Sequence, residues 1–368
     1  MKLTYLTLEA PREGQASYVH VHEIINGLRQ QEVDICLYEP SYTKDEVSPR
    51  LRNRLFCSFS LQWKMWRHWR RGSVLYVRAH YLAFPSAVIA WLFKVPVVNE
   101  INGPYGDVFV TYDSLRKLKN ILIFLQRWQY RKANKLIAVT KELQDWANAE
   151  GKRNDCAFIS NGANINIFKP IDKNNDQRPE NVPKKYVVFF GGLTKWHGVT
   201  VMLEAVKSKS WPSNIKLVVI GKGSESVRLS AAAKDNDNII YMGKRPYKEV
   251  ALYVSHAIAS IVMISNPNKR SITGVFPLKL FETLACGVPA IVSDLPGQAD
   301  FIRENKCGIV VPVDDEDLLI QAIKEIDDKP EEAELMGNRG HHVVVNHHSW
   351  YKRSEDTLKI VNLAKESR

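Results

Sequence analysis

The sequence predicts an α/β protein of two Rossmann-like domains that face a cleft. Three observations carry this expectation. The chain has 368 residues, more than one hydrophobic core usually organises. Short apolar runs alternate with helical patterns along its whole length, as in repeated βα units with parallel sheets. The alternation stops at "IDKNNDQRPENVPKK" (171–185), polar and rich in Asn and Pro, and then restarts, which marks a linker. The expected boundaries are a first domain over 1–170, a linker over 171–185 and a second domain over 186–349.

In the first domain "KLTYLTLE" reads as a strand. "SYVHVHEIINGLRQQ" reads as a helix with Val21, Ile24, Ile25 and Leu28 on one face. The strands "VDICLYEP", "SVLYVRAH", "VPVVNEING" and "NKLIAVT" follow, and then "CAFISNGA". Beyond the linker the strands are "YVVFFGG", "IKLVVIGKG", "NIIYMGK", "IASIVMIS", "PAIVSD" and "GIVVP". Between them lie helical patterns such as "VTVMLEAVKS" and "PLKLFETLACG". The tail "WYKRSEDTLKIVNLAKES" is helical.

Composition narrows the class. With 45% hydrophobic and 25% charged residues the chain reads as soluble and globular. The longest apolar run, "YLAFPSAVIAWLF" at 81–93, falls short of the roughly 20 residues a spanning helix needs. Glu9 interrupts the N-terminus before a signal-peptide core forms, so the expected location is cytoplasmic. Five cysteines without a CxxC pair fit reduced thiols. Charge is uneven. Residues 1–170 hold 24 Lys and Arg against 15 Asp and Glu, a net +9 of the chain's +11. Such a basic half suits an anionic partner: a membrane surface, a phosphorylated acceptor or nucleic acid.

The stretch "GVFPLKLFETLACGVPAIVSD" (274–294) holds the first candidate site. Pro277 suits a helix start and Gly287 a helix stop. Free N–H groups at that start attract phosphate, and Lys279 and Glu282, three apart, share a face. Spacing alone leaves two readings open: a phosphate and ribose site, or a core helix with two solvated charges. "FFGGLTKWHGV" (189–199) ends a strand in Gly191 and Gly192, where a ligand can approach the backbone, with Lys195 and His197 beside them. The alternative is a tight strand–helix turn. "VVIGKGSE" repeats the glycine pattern at Gly221 and Gly223 but is not GxGxxG, because position 226 is Ser226. "YMGKRPYKEV" sets Gly243, Lys244 and Arg245 at a strand end, as base contacts or as a solvated loop.

Taken in order, "ISNGANINIFKP", the linker, "FFGGL", "WHGV", "VVIGKGSE", "YMGKRPYKEVALYVSHA", "FPLKLFETLACGVPAIVSD" and "NKCGIVVPVDDEDLLIQAI" closely resemble the family-4 retaining glycosyltransferases of the GT-B fold. The resemblance spans essentially the whole chain. It implies a nucleotide-sugar donor, UDP- or GDP-linked, in the second domain and needs no metal or other cofactor. Glu282 would hold the ribose; the backbone from Phe276 through Pro277 and Leu278 to Lys279 would hold the distal phosphate and sugar. The Gly191–Gly198 loop would hold the diphosphate, and Gly243 to Arg245 would lie near the base. The family's first glutamate is Gly274 here, and its phosphate-loop Arg and Lys fall on Gly192 and His197. Its acceptor-side histidine falls on Asn102. These departures resemble a subgroup with a WHG loop and a P-x-K-x-x-E helix, in which Lys279 replaces the missing cation. The family's chemistry is a front-face displacement in which the departing phosphate helps take the acceptor proton. The family also implies that the tail, 350–368, packs back on the first domain.

The first domain should then bind the acceptor, a glycan or a lipid-linked sugar. Gly14 and Gln15 join the first strand to its helix and are expected near the donor phosphate. Arg78, His80, Glu100 and Asn102 sit at strand ends, where α/β folds place ligands. His80, with Lys279 and Glu282, is a catalytic candidate, the alternative for His80 being a structural hydrogen bond. In "LQWKMWRHWRR" (61–71), Lys64, Arg67, His68 and Arg71 form one helical face; Leu61, Met65, Trp66 and Trp69 form the other. It reads as a basic amphipathic helix for an anionic membrane surface, or as an ordinary helix with its tryptophans packed inward. "DND" (235–237) and the histidines of "GHHVVVNHHSW" are not expected to bind metal. The expected activity is retaining sugar transfer in capsule, lipopolysaccharide or exopolysaccharide synthesis, peripheral on the inner face of the cell membrane and without nucleic acid. The alternatives are an epimerase or phosphorylase on the same scaffold, or a non-enzymatic basic binding module.

Overall fold

The structure, a computed structural model, describes residues 1–41, 51–111, 113–171, 178–179, 182–265 and 272–367. It divides into two compact units, Met1–Ser160 with Tyr351–Arg368, and Asn161–Trp350. The first unit contains β1 (Lys2–Leu6), α1 (Ala16–Gln30), β2 (Asp34–Tyr38), α2 (Leu51–Arg67), β3 (Val74–Arg78), α3 (Phe84–Leu92) and β4 (Val97–Ile101). It continues with α4 (Asp107–Thr111), α5 (Lys119–Lys132), β5 (Lys135–Ala138), α6 (Lys141–Gly151) and β6 (Ala157–Phe158). The second holds β7 (Tyr186–Phe190), α7 (Val199–Lys207), β8 (Lys216–Ile220), α8 (Ser226–Asp235), β9 (Ile239–Gly243), α9 (Tyr247–Ser255) and β10 (Ala259–Val262). After these come α10 (Leu278–Ala285), β11 (Ala290–Ser293), α11 (Gln298–Asn305), β12 (Gly308–Val311), α12 (Glu316–Asp328) and α13 (Pro330–His347). The last helix, α14 (Trp350–Glu366), groups with the first unit from Tyr351 onward. There Gln31 donates to Ser354 Oγ at 2.7 Å.

Each unit is built on a six-stranded sheet, ordered β2-β1-β3-β4-β5-β6 and β12-β11-β10-β7-β8-β9, and the strand pairs within each are parallel. All five residues of β7 are buried, as are all five of β3 and of β4. Strands covered on both faces need continuous apolar runs rather than alternation, which is what the sequence shows. The apolar face expected for the first helix, Val21, Ile24, Ile25 and Leu28, is buried in α1. Strand order reverses between β1 and β3 in one sheet and between β7 and β10 in the other. Ligands of α/β sheets bind beyond the strand C-termini at such reversals.

Three local expectations change. Residues 172–177 and 180–181 of the expected linker lie outside the described residues, and the second unit starts earlier, at Asn161. The cause is local bonding. Ala163 N–H donates to the His348 carbonyl at 2.9 Å and Ala163 accepts from Trp350 N–H at 3.0 Å. Phe168 is fully buried and stacks on Phe190. Pro277 caps α10 from outside, with extended backbone (φ −71°, ψ 147°), rather than sitting in its first turn. The helix expected to run to Arg71 ends at Arg67, and Trp66 and Trp69 turn inward. Trp66 stacks on Trp69 and donates to Ser86 Oγ at 3.1 Å, and both rings pack on a core that includes the fully buried Met65.

Candidate active site

In the second unit the loop after β7 and the approach to α10 meet at the β7/β10 reversal. Gly191 has φ +116°, a left-handed value that suits glycine. A Cβ there would come within 3.5 Å of Lys279 Cε and Nζ. Gly191 and Gly192 are exposed, as is Lys195. His197 is half-buried, its Nδ1 2.9 Å from Thr194 Oγ1. The second glycine loop has a different job. A Cβ on Gly221 would lie 1.9 Å from the Gly191 carbonyl oxygen, and one on Gly223 would lie 2.1 Å from that of Leu193. These glycines let one backbone turn rest directly on the other. Gly243 ends β9 with φ +66° and Arg245 is exposed just beyond it.

Helix α10 is buried along its whole length, charged residues included. Glu282 is almost fully buried, and Tyr247 OH donates to its Oε1 at 2.5 Å. Lys279 is 8% exposed, and among the described residues its Nζ has no hydrogen-bond partner. The ammonium lies 4.0 Å from the ring centroid of Phe189, at the end of β7. Burial pushes its pKa down to about 7, with the Glu282 carboxylate opposing. A cation kept dry without an anion is costly, and the aromatic face compensates only in part. The first N–H groups of α10, at Leu278 and Lys279, have no acceptor within the helix. Phe276 packs on Phe281 and Phe301, and its carbonyl accepts from Asn161 Nδ2 at 2.7 Å. The "SNGA" stretch therefore anchors the entry to α10. The arrangement has the chemistry of an anion site, because a helix N-terminus and an ammonium both favour phosphate oxygens.

The candidate residues of the first unit cluster separately. Glu100, at the end of β4, is 2% exposed. Its Oε1 accepts from Asn102 Nδ2 at 2.5 Å and Arg78 Nη1 at 3.1 Å and lies 2.8 Å from His20 Nε2; Tyr76 OH donates to Oε2 at 2.5 Å. Burial alone would raise the Glu100 carboxyl, but His20, Arg78 and Tyr76 hold it well below the usual range. Arg78 is also buried and pairs through Nε with Glu9 at 3.0 Å. His80 Nδ1 accepts from Leu82 N–H at 3.1 Å, capping a 3-10 turn at Tyr81–Ala83. Burial lowers its pKa to about 4, with Glu9 opposing, so the ring is neutral at pH 7. Gly14 and Gln15 are exposed in the β1–α1 loop.

Sequence reasoning did not find Phe189, Tyr247, His20, Glu9 or Tyr76. Of the histidines in "GHHVVVNHHSW", His342 and His347 are exposed, whereas His341 Nδ1 lies 2.7 Å from the Ala285 carbonyl and His348 stacks on Phe281, both against α10. Among the described residues no group of His, Cys, Asp and Glu could hold a metal ion, and no helix is long and apolar enough to cross a membrane.

Two sequence-family models match the chain, Glycosyltransferase Family 4 over residues 18–166 and Glycosyl transferases group 1 over residues 170–343. The chain belongs to glycosyltransferase family 4. Among the relatives of this family-4 glycosyltransferase is the phosphatidyl-myo-inositol mannosyltransferase of Mycobacterium leprae. It is 24% identical over 263 residues, covering 66% of this chain and 67% of that protein. The sucrose-phosphate synthase of Thermosynechococcus elongatus superposes with a TM-score of 0.78 at 16% identity, covering 100% of this chain and 99% of the other. Anabaena HepE, solved in complex with UDP, gives 0.74 at 12% identity, covering 98% and 100%. The fold is GT-B.

Proposed function

We propose that this glycosyltransferase takes its sugar from a UDP- or GDP-linked donor held in the second unit. It transfers that sugar, with retention, to a hydroxyl of a glycan or lipid-linked acceptor in cell-surface polysaccharide synthesis, working at the inner face of the cell membrane. One observation carries the donor assignment: the buried, unpartnered ammonium of Lys279 at the start of α10, with Glu282 one turn deeper. Negative charge builds on the diphosphate as the glycosidic bond breaks, and preorganised positive groups lower that barrier most. Lys279, the α10 N-terminus and Lys195 supply such charge from the protein itself. The departing phosphate takes the acceptor proton, so no separate nucleophile or base is required. Glu282 Oε1 is engaged by Tyr247, which fixes the carboxylate to receive ribose hydroxyls. Gly274 has no side chain to recognise the sugar, so the main chain from Gly274 to Leu278 does so. HepE's complex with UDP supports the nucleotide, and the mycobacterial relative's named acceptor supports a lipid-linked one.

Titration calorimetry with UDP and GDP tests this. The protein should bind one of them, and Glu282→Ala should weaken that binding by roughly ten- to a hundred-fold, as for a charge-assisted hydrogen-bond pair. Unaltered affinity in Glu282→Ala would sink the donor assignment. With the sugar nucleotide of the winning base, release of nucleoside diphosphate should depend on added acceptor.

A further inference from the structure

The first unit leaves an apolar surface bare across three neighbouring helices. On α2, Phe56 and Trp63 are 74% and 73% exposed, with Phe59 half-exposed between them. Residues 56, 59 and 63 fall within one arc of the helix, and the buried Met65 lies opposite. The C-terminal end of α3 exposes Trp91, Leu92 and Phe93, the last by 72%. On α5, Ile121 and Phe124, three apart, are both more than half exposed. These helices are neighbours. Gln62 Oε1 on α2 accepts from Ser86 Oγ on α3 at 2.7 Å, and Trp91 on α3 packs edge-on against Trp128 on α5. Large apolar residues gathered in this way mark an interaction surface.

Charge identifies the partner. Residues 51–99 and 114–141, which carry α2, α3 and α5, contain sixteen Lys and Arg and not one Asp or Glu. Lys64, Lys94 and Lys119 are exposed beside the aromatic anchors, and the Lys132 ammonium stands 5.4 Å over the Trp91 ring. A second copy of this face would set cations against cations. A sheet of anionic headgroups over hydrocarbon satisfies both components at once: aromatic rings settle at the headgroup level and lysines meet the lipid phosphates.

We propose that the outward faces of α2, α3 and α5 form one docking surface for an anionic lipid bilayer. Phe56, Phe59, Trp63, the Trp91–Phe93 tip and the Ile121/Phe124 pair insert, and the surrounding lysines bind headgroups. The face read from the sequence, with Trp66 and Trp69 toward the lipid, is replaced by its opposite. This deepens the membrane part of the reading above. Because its test needs no nucleotide, its failure would leave the sugar transfer standing.

The test is flotation of the full chain with vesicles of phosphatidylcholine alone or mixed with phosphatidylglycerol. The wild type should float only with the anionic vesicles, release at high salt, and shift its tryptophan emission to the blue on binding. The variant F56S/W63S/F93S, altered only at exposed positions, should bind roughly a hundred-fold more weakly while keeping its calorimetric nucleotide affinity. K64E/K94E should also lose binding. Three results would overturn the proposal: no flotation with anionic vesicles, equal flotation of wild type and triple variant, or a dimer that the triple variant dissolves with no vesicle binding in either. The last would assign the face to contact between copies.

Discussion

Both units bury a charged cluster at the C-terminal edge of their sheet, and the two clusters are completed differently. Around Glu100 the protein has answered every charge. Tyr76, Arg78, His20 and Asn102 converge on one carboxylate, and Arg78 turns its remaining edge to Glu9. Around Lys279 the ammonium is desolvated, stacked over Phe189 and, among the described residues, left without an acceptor. A buried network whose charges are paired stiffens a fold, whereas a buried cation without a paired anion is a cost to the native state. The first cluster is therefore scaffold for the strand ends that bear His80 and Asn102, and the second fits the phosphate-binding role proposed for it.

Substitution should separate the two roles. Glu100→Ala strands Arg78 and His20 in the core and should cost about 3–5 kcal/mol, read as an early unfolding transition in urea. Its folded-state pKa is depressed. The stability it gives is therefore present above the unfolded carboxylate range and is lost as pH falls below it. The stability gap between wild type and Glu100→Ala should accordingly narrow as pH falls below the usual carboxylate range, in urea unfolding at a series of pH values. Lys279→Met is expected to leave stability unchanged or slightly raised, because an apolar side chain replaces an unpaired charge, yet to slow sugar transfer by roughly a hundred-fold or more. Equal destabilisation by both substitutions would erase the contrast. Tyr247→Phe should have the smallest effect. It removes one hydrogen bond to Glu282 Oε1 and leaves the carboxylate less constrained, so nucleotide affinity should fall by about two- to five-fold with turnover at saturation little changed.

Most of the fold is legible in the sequence because parallel strands buried on both faces must be continuous apolar runs, as "YVVFF" and "KLVVI" are. The Lys279–Glu282 pair is legible for a local reason: their spacing and the Pro277 entry are properties of one helix. What was not legible lies across the chain. Tyr247 meets Glu282, and Phe189 lies under Lys279, through tertiary folding that no window reports. Phe189 did carry a signal, as an aromatic residue two positions before an exposed glycine at a strand end. Glu9 and His20 reach the Glu100 network from β1's loop and from α1. The Trp66 and Trp69 face shows a further limit. Periodicity divides a helix into two faces, but when both are apolar or aromatic, packing decides which is buried.

The central claim is that Lys279 awaits an anion, and proton linkage tests it most directly. With its pKa near 7, most Lys279 side chains are neutral at pH 8. A bound diphosphate would restore the charged form, so binding must draw protons from solution. Calorimetry of nucleoside diphosphate binding at pH 8, in two buffers of different ionisation heat, should show uptake of about one proton by the wild type and almost none by Lys279→Met. Equal uptake by wild type and variant, or tight binding with no proton taken up by either, would contradict the account.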